Sequence, residues 1–516
     1  MNRRKLLQGT LAGATTIAFG GGFLQFITPS AGAQATPIPQ IDQLRFAMQA
    51  LPPQLDPQVG YGSVSQRMYP FIFDTLIKQD WANGGALVPA LATSWSRPDD
   101  LTLDMELRQG VLFQDGSPFT AADVKFTIER TTAGDTTLAY NNYFGNITVN
   151  VIDDYHVQLK TETPVGALEM LLAQISAGSI VPEAYFNSVG KDAFLTAPIG
   201  TGTHKLTEFV LDSHASFEVN PNYWGGASPV QKIVVSNVPE VSTRIAALYN
   251  GEYDIITDVP VDQVETITKQ GAYNITEVAQ LAMQVALIQG DKPPFDNVKV
   301  RQAASLAIDR QTIVEQILAG HGVWPGSNQV KEDPLYVPRD PLPYDPEKAK
   351  SLLAEAGYNG EEIIWDYREP AYYPLEDIWT QAAAQNLIDV GFNVTLSPQP
   401  SANYGDGEYN LINAGDDVIL DQIMSRAYGT NTSYITKRFP PDTFKDIRDL
   451  VLQAEQITDA DERKAAYAHI EDLINEQVPE IVLFQINRIT ACQPNIVWHE
   501  NPDNSITFGP DTFSVS

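Results

Sequence analysis

Residue types that perform catalysis are present along the chain, but they lack the spacing that catalysis needs. The sequence has no GxSxG nucleophile motif, no GxxxxGK[ST] phosphate loop and no HExxH zinc helix. Adjacent carboxylates such as Asp153-Asp154 and Asp416-Asp417 are more typical of solvated turns than of a glycosidase acid and base. The histidines are scattered, without a local metal-binding pair: His156, His204, His214, His321, His469 and His499. The sequence therefore favours a protein that is not an enzyme, and it predicts no cofactor and no metal site.

Composition excludes further classes of protein. The 516 residues include 64 Asp and Glu against 33 Lys and Arg, which gives a net charge of -31. Nucleic-acid binding needs clustered positive charge, so this acidic chain is predicted not to bind nucleic acid. The single Cys492 cannot form an internal disulfide or a Cys-rich zinc site. With 43% hydrophobic residues, the chain can form a large core.

The first 35 residues have the pattern of an export signal. Three positive charges at positions 3–5 precede a Gly-rich, weakly apolar stretch over 11–27, and small-x-small cleavage sites follow between 31 and 35. The paired arginines favour the twin-arginine route. The apolar stretch is too short for a good membrane anchor, and no cysteine is near for lipid attachment. We therefore predict a signal peptide over 1–35 and an exported protein without a lipid anchor.

The remaining chain alternates short strands and helices, which is typical of an α/β protein. Asp345 followed by Pro346 predicts a helix start, and Gly357 can end that helix in a left-handed conformation. A second helix is predicted to end at Gly391, followed by a strand with alternating apolar residues over 392–396. These helix-to-strand units predict buried sheets with helices packed against them.

Six long segments follow one another in the order of a known family. They resemble the family 5 extracellular solute-binding proteins of ABC importers, a group that includes dipeptide-, oligopeptide- and nickel-binding proteins. The segments are LVPALATSWSRPDDLTLDMELRQGVLFQDGSPFTAADVKFTIER (87–130), PIGTGTHKL (198–206), NPNYWGG (220–226), STRIAALYNGEYDI (242–255), VKVRQAASLAIDRQTIVEQILAG (298–320) and YDPEKAKSLLAEAGY (344–358).

The resemblance implies an α/β fold of two lobes, of the periplasmic-binding-protein type. Ligand is expected to lie between the lobes, which close over it by a hinge motion. The implied ranges are 36–62, 197–285 and 485–516 for the first lobe, 63–196 for a subdomain inserted in that lobe, and 286–484 for the second lobe. Two hinge crossings of the chain are expected, near Gln284–Ile288 and Val482–Gln485.

The resemblance also implies one acidic and one basic ligand contact. In peptide-binding members, an acid of the second lobe pairs with the ligand's amino group; the matching stretch here gives Asp416 first and Asp417 second. Asn413 stands in this stretch where an aromatic residue is common, which counts against specific peptide recognition. A solvated loop acid is the alternative interpretation for both aspartates.

Arg368 follows the strand-like run over 363–367, at the position that supplies an arginine to the ligand carboxylate in dipeptide-binding relatives. A guanidinium can hold a carboxylate with two parallel hydrogen bonds. An internal ion pair with Glu369 or Asp366 is the competing interpretation. Tyr372 and Tyr61 are predicted aromatic contacts.

The resulting hypothesis is a soluble, monomeric periplasmic receptor that captures a small solute and delivers it to an ABC permease. A peptide is the leading candidate for this solute. A nickel or other metal chelate, an opine or a sugar are alternative ligands. A secreted hydrolase and a receptor that feeds a membrane signalling protein are alternatives from other classes.

Overall fold

The computed structural model describes residues 40–60, 63–132, 138, 144–145, 147–416, 424, 427–429, 433–509 and 512–516. The predicted signal peptide, Tyr61 and Asp417 lie outside these residues. Within the described part, no helix has both the length and the apolar character needed to cross a membrane.

Strands are distributed over the whole described chain. They are β1 (Leu44–Met48), β2 (Ile77–Asp80), β3 (Ala86–Pro89), β4 (Ala92–Asp99), β5 (Thr102–Leu107), β6 (Thr148–Asp153), β7 (His156–Lys160), β8 (His204–Val210), β9 (His214–Val219), β10 (Lys232–Asn237), β11 (Ile255–Ile256), β12 (Asn274–Ala279), β13 (Met283–Ile288), β14 (Gly322–Val323), β15 (Glu362–Arg368), β16 (Asn393–Gln399), β17 (Leu411–Asp416), β18 (Glu480–Cys492), β19 (Ile496–Trp498) and β20 (Phe513–Val515).

Helices alternate with these strands. They are α1 (Ser63–Ile72), α2 (Ala121–Thr132), α3 (Leu168–Ala173), α4 (Glu183–Val189), α5 (Lys191–Phe194), α6 (Val241–Tyr249), α7 (Val261–Lys269), α8 (Val298–Ala307), α9 (Arg310–Thr312), α10 (Pro346–Ala356), α11 (Glu376–Asp389), α12 (Lys445–Ala454) and α13 (Ala460–Gln477). Short 3-10 turns cover Trp81–Asn83, Ser401–Asn403 and Thr436–Arg438, and a π-helical turn covers Ile313–Ile317.

Two predicted helix ends are confirmed. The Asp345 carboxylate accepts a hydrogen bond from the Lys348 amide at 2.9 Å, and Pro346 is the first residue of α10. Gly357 closes α10 with φ of 71°, a conformation that glycine adopts without a steric penalty. The second predicted unit is also present, because α11 leads through Gly391 into β16. Local sequence therefore determines these elements.

The main sheet has the order β16-β15-β17-β13-β18-β11-β1-β10-β9-β8, with β12 and β14 also paired to β18. β15 pairs in parallel with both β16 and β17, whereas β13 is antiparallel to β17 and to β18. A separate antiparallel sheet has the order β4-β5-β7-β6. The mixture of parallel and antiparallel strands with packed helices confirms the α/β class.

Strand β18 joins two differently packed parts of the main sheet. Its first residues, Glu480 to Phe484, pair with β13, and its later residues, Asn487 to Cys492, pair with β12. Between them, the Gln485 side chain donates to the Gln280 carbonyl at 2.5 Å, in the link from β12 to β13. Two chain segments therefore pass side by side at this point, while the lobe ranges and crossing positions given above stay predictions.

The buried apolar residues form distinct cores. A large core contains residues from Met283 to Ile486, and a meander core lies around β4–β7 with residues from Leu76 to Ile180. An N-terminal core surrounds β1 and includes the C-terminal Trp498 and Phe513. A small cluster beside it contains Ala47 and Ile256 and is called the edge core here. The separate cores agree with an architecture of more than one lobe.

Glu471 lies in the middle of α13 and gives the large core a pH-dependent stability. It is fully buried, and burial raises the pKa of its carboxyl to about 7, although the nearby Arg339 charge opposes this shift. The folded protein therefore holds a proton between pH 4.5 and 7 that the unfolded chain has released. Stability conferred by this protonated group is present below that window and is lost as pH rises through it.

We expect Glu471→Gln to remove this pH dependence. The variant should exceed the wild type in unfolding free energy at pH 8 by on the order of 1–3 kcal/mol. Urea unfolding at pH 5, 6, 7 and 8 measures the difference. Glu476→Gln, an exposed position of the same helix, is the matched control and should follow the wild-type profile. If the free energy of unfolding depends on pH in the same way in the wild type and in Glu471→Gln, the expectation is wrong.

Candidate functional site

A cavity of about 520 Å³ lies beside the part of the main sheet that contains β15, β17 and β13. The strands β15 and β17 run parallel, with Asp366 opposite Ile412, so their carboxyl ends point to the same edge. Arg368 is the last residue of β15 and Asp416 is the last residue of β17. Ligands of open α/β sheets commonly bind beyond the carboxyl ends of strands, which makes this edge the leading candidate site.

The guanidinium of Arg368 lies among three tyrosine rings. Its Cζ atom is 3.9 Å from the ring centre of Tyr404, 4.7 Å from that of Tyr372 and 5.4 Å from that of Tyr373. Contact with an aromatic face stabilises a cation without using its N–H donors. Arg368 borders the cavity, and its Nη1 atom is buried without a hydrogen-bond partner. An oriented donor group is therefore available to an acceptor from outside the chain.

Glu376 is the acidic residue closest to Arg368, and sequence reasoning missed it. Its Oε1 atom is 3.9 Å from Arg368 Nη1, beyond hydrogen-bond distance. Neither Glu369 nor Asp366 forms an ion pair with Arg368 among the described residues. Glu376 is fully buried as the first residue of α11, a position where the helix dipole favours a negative charge.

Main-chain donors hold the Glu376 carboxylate. Its Oε2 accepts from the amides of Tyr372 at 3.0 Å and Tyr373 at 3.2 Å, and its Oε1 accepts from the Arg368 amide at 3.3 Å. These bonds fold the segment after β15 back onto the start of α11. Glu376 therefore positions Arg368 while its oxygens are occupied by other donors.

Asn413 has its side chain on the α11 side of β17. The side-chain oxygen accepts from Trp365 Nε1 at 2.9 Å, and the amide nitrogen donates to Thr380 Oγ1 at 2.8 Å and to Glu376 Oε1 at 3.2 Å. Its side chain is thus fully used within the protein, although the residue borders the cavity. Its main chain is also engaged, because Asn413 pairs with Ala286 in the sheet and its carbonyl accepts from Tyr404, and its role in ligand contact stays a prediction.

Tyr404 forms part of the cavity wall opposite the strands. Its hydroxyl donates to the Asn413 carbonyl at 2.6 Å, and burial raises the pKa of this hydroxyl far above its usual value of 10, against the opposing charge of Arg368. The ring therefore stays neutral and serves as a stacking surface. No local sequence motif distinguished Tyr404 from the other tyrosines of the chain.

The structure describes the remaining predicted contact residues to different extents. Tyr372 is 67% exposed and stacks at a right angle on Tyr373, so its outer face is open to solvent. Asp416 pairs through its main chain with Met283, and only its main chain is described. Tyr61 and Asp417 lie outside the described residues.

Leu375 lies next to the site and contacts two of the hydrophobic cores. It precedes α11, packs against the large core, and also packs against the edge core that contains Ala47 and Ile256. Its φ of 55° is unusual for a leucine and is sustained by this packing. The segment that follows Arg368 and Tyr372 is therefore in contact with both the large core and the edge core.

Two further cations border the same cavity, and sequence reasoning did not select them. Lys437 and Arg438 lie in a 3-10 turn whose Arg438 carbonyl accepts from the Gly290 amide at 2.9 Å, just beyond β13. The described residues contain no group of three or more His, Cys, Asp or Glu side chains placed to hold a metal ion. The site as described thus offers cations, tyrosine rings and main-chain groups.

This fold and this site define a class of protein. The α/β architecture is that of the two-lobed periplasmic binding proteins, with a polar cavity beside strands β13, β15 and β17. The family model "Bacterial extracellular solute-binding proteins, family 5 Middle" matches residues 86–433, which is more than half of the chain. The chain belongs to this family, and the resemblance inferred from the sequence is confirmed.

Three similar proteins are named for a small solute or were solved with one. The glutathione-binding protein GsiB of Salmonella paratyphi A is 26% identical over 477 residues, covering 88% of this chain and 91% of GsiB. The periplasmic binding protein DppA of Helicobacter pylori, solved with the peptide STSA, has a TM-score of 0.75 at 23% identity, covering 92% of this chain and 98% of DppA. NikA of Brucella suis, solved with Fe(III)-EDTA, has a TM-score of 0.80 at 22% identity, covering 92% of this chain and 100% of NikA.

Proposed function

We propose that this protein is a non-enzymatic periplasmic receptor that binds a small solute with a free carboxylate and delivers it to an ABC permease. A peptide is the leading candidate for this solute. The observation that carries the proposal is Arg368, whose buried Nη1 has no hydrogen-bond partner among the described residues while its guanidinium lies over the Tyr404 ring at the cavity. A guanidinium can meet a carboxylate with two charge-assisted hydrogen bonds. Family membership supports the transport role.

The main-chain geometry supports a zwitterionic ligand. Continuing the register of β15 and β17 places Arg368 level with Ala414, two residues before Asp416. With a rise of ~3.3 Å per residue and ~4.8 Å between strands, the Cα atoms of Arg368 and Asp416 are roughly 8 Å apart. In the proposal, Arg368 receives the ligand carboxylate and Asp416 or Asp417 the ligand amine.

Binding to both lobes would stabilise a closed form, because a ligand shifts a conformational equilibrium only through its differential affinity for the two states. The permease is then proposed to recognise that closed form. Leu375 is the natural place for such coupling, since it contacts two cores and lies between Arg368 and α11. The proposed assembly is a monomer in the periplasm with the signal peptide removed.

Isothermal titration of the mature protein tests the proposal. The panel contains di- to pentapeptides, glutathione, opines, oligosaccharides and metal chelates, and we expect saturable binding of at least one peptide. Failure of every solute to bind at millimolar concentration would reject the receptor function.

A carboxylate-bearing metal chelate is the second candidate ligand. Structural similarity to NikA, solved with Fe(III)-EDTA, and the cations at the cavity favour it. Metal analysis of protein purified from its host, combined with the titration of chelates, separates this candidate from peptides.

A further inference from the structure

The charges at the cavity differ in sign from those of the protein as a whole. The chain has 64 acidic and 33 basic residues, yet Arg368, Lys437 and Arg438 are the ionised side chains that border the cavity in the described part. No aspartate or glutamate of the described residues lines it. Glu376, 3.9 Å from Arg368, offsets one of these charges, and the other two cations give the cavity a local positive potential, which is a property of an anion site.

Within the described part of the chain, Lys437 and Arg438 have less internal compensation than Arg368, which has Glu376 at 3.9 Å. Arg368 Nη1 has no hydrogen-bond partner, and neither does the buried Nε of Arg438. The other end of Arg438 is fixed, because Nη1 donates to the Tyr434 carbonyl and the main chain bonds to Gly290. Lys437 is exposed, and none of the ion pairs among the described residues involves it or Arg438. Among the described residues, Lys437 and Arg438 therefore hold positive charge at the cavity without an ion pair, whereas Arg368 has the Glu376 carboxylate at 3.9 Å.

The cations lie at opposite ends of the cavity. Arg368 is level with Ala414, which pairs with Val285, whereas the Arg438 main chain bonds to Gly290 beyond the end of β13. Five residues of extended strand separate these levels, which corresponds to roughly 16 Å between the main chains. With their main chains this far apart along the strands, the arrangement suits an extended ligand with an anionic group near each end.

We infer that Lys437 and Arg438 form a second anion subsite, so that the preferred solute is a peptide-like molecule with at least two carboxylates and not a neutral dipeptide. The inference rests on the receptor function proposed above and names the charge class of its ligand. Arg368 holds one carboxylate. The other carboxylate lies at the Lys437–Arg438 turn, where two positive charges offset the cost of desolvating it.

Matched peptides test this inference. Tripeptides that contain glutamate at one position are compared with the same tripeptides containing glutamine, by isothermal titration at low and high salt. The wild type should prefer at least one glutamate peptide about tenfold or more, and this preference should decrease with salt because charge pairs are screened. In the Lys437→Gln/Arg438→Gln double variant the ratio of the affinities for the glutamate and glutamine peptides should fall to about twofold or less.

A charge-matched control separates a local contact from the overall charge. The Lys445→Gln/Arg448→Gln variant also removes two cations at the start of α12, the exposed Lys445 and the half-buried Arg448, and should keep the wild-type preference. Equal affinity of the wild type for glutamate and glutamine peptides would overturn the inference but leave the receptor function intact. A preference that survives in the Lys437→Gln/Arg438→Gln variant would overturn it too. If no solute of any charge binds, the receptor function itself fails and the inference fails with it.

Discussion

Replacing Arg368 by glutamine is expected to weaken ligand binding by about 2–3 kcal/mol, roughly 30- to 150-fold. The guanidinium lies over the Tyr404 ring with its Nη1 donor unused, so a ligand carboxylate would complete its hydrogen bonding. Glutamine keeps a polar amide but loses the charge and the two-pronged geometry. Isothermal titration with the best ligand of the panel gives the change in affinity.

Arg368→Lys should have an intermediate effect, because an ammonium keeps the charge and loses the planar fork. Arg339→Gln is a matched control: its guanidinium pairs with Asp472 at 3.0 Å and does not border the cavity. This control should bind ligand like the wild type.

Folding of the Arg368→Gln variant needs its own measurement, since Arg368 is near the buried Glu376. The Glu376 carboxylate keeps its bonds from the Tyr372 and Tyr373 amides, so most of its stabilisation should remain. Urea unfolding of the same samples measures this. Affinity within twofold of the wild type at unchanged stability would assign Arg368 a structural role only.

Sequence reasoning identified the family and the local elements because both are encoded in contiguous stretches. The helix from Pro346 to Ala356 depends on a cap at one end and a glycine at the other, all within 13 residues. Arg368 could be selected because it follows a contiguous strand-like run at the position where the resemblance implies an arginine. Such features are determined by short-range interactions.

The partners of Arg368 could not be predicted in this way. Glu376 approaches it only because the intervening segment folds back, with main-chain amides as donors that carry no side-chain signal. Lys437 and Arg438 reach the same cavity from about 70 residues away, through a bond between the main chains of Gly290 and Arg438. Tertiary packing decides which charges share a space, and a single sequence does not encode that as a local pattern.

Replacing Arg67 by methionine is expected to cost about 3–5 kcal/mol of unfolding free energy, the largest effect of a single substitution proposed here. Arg67 is 3% exposed in α1; its Nε is 2.7 Å from Glu500 Oε1, and its Nη2 is 2.7 Å from Asp258 Oδ1. Arg488 Nε lies 3.0 Å from the other Glu500 oxygen. The four charges connect α1, the segment after β11, β18 and the segment after β19.

The cost arises because the methionine would leave the buried Glu500 and the half-buried Asp258 carboxylates with Arg488 as the remaining cation of this group. Hydrophobic packing of methionine cannot offset the desolvation of an unpaired carboxylate. Arg45→Met is the matched control, since Arg45 also pairs with an aspartate, Asp254 at 2.8 Å, but its side chain is 36% exposed. Exposed pairs of this kind contribute about 1 kcal/mol or less.

The pH dependence of the difference identifies the charge pair as its cause. Burial alone would raise the pKa of the Asp258 carboxyl, but the Arg67 charge dominates and lowers it well below its ordinary value of 3.8. A depressed acid contributes stability that is present above pH 3.8 and is lost as pH falls towards the folded-state pKa. The difference in unfolding free energy between wild type and Arg67→Met should therefore be largest at pH 7 and decrease below pH 4. Urea unfolding across this pH range measures the difference. If Arg67→Met loses no more unfolding free energy than Arg45→Met, or if the difference from wild type does not depend on pH, then packing and not charge pairing gives Arg67 its role.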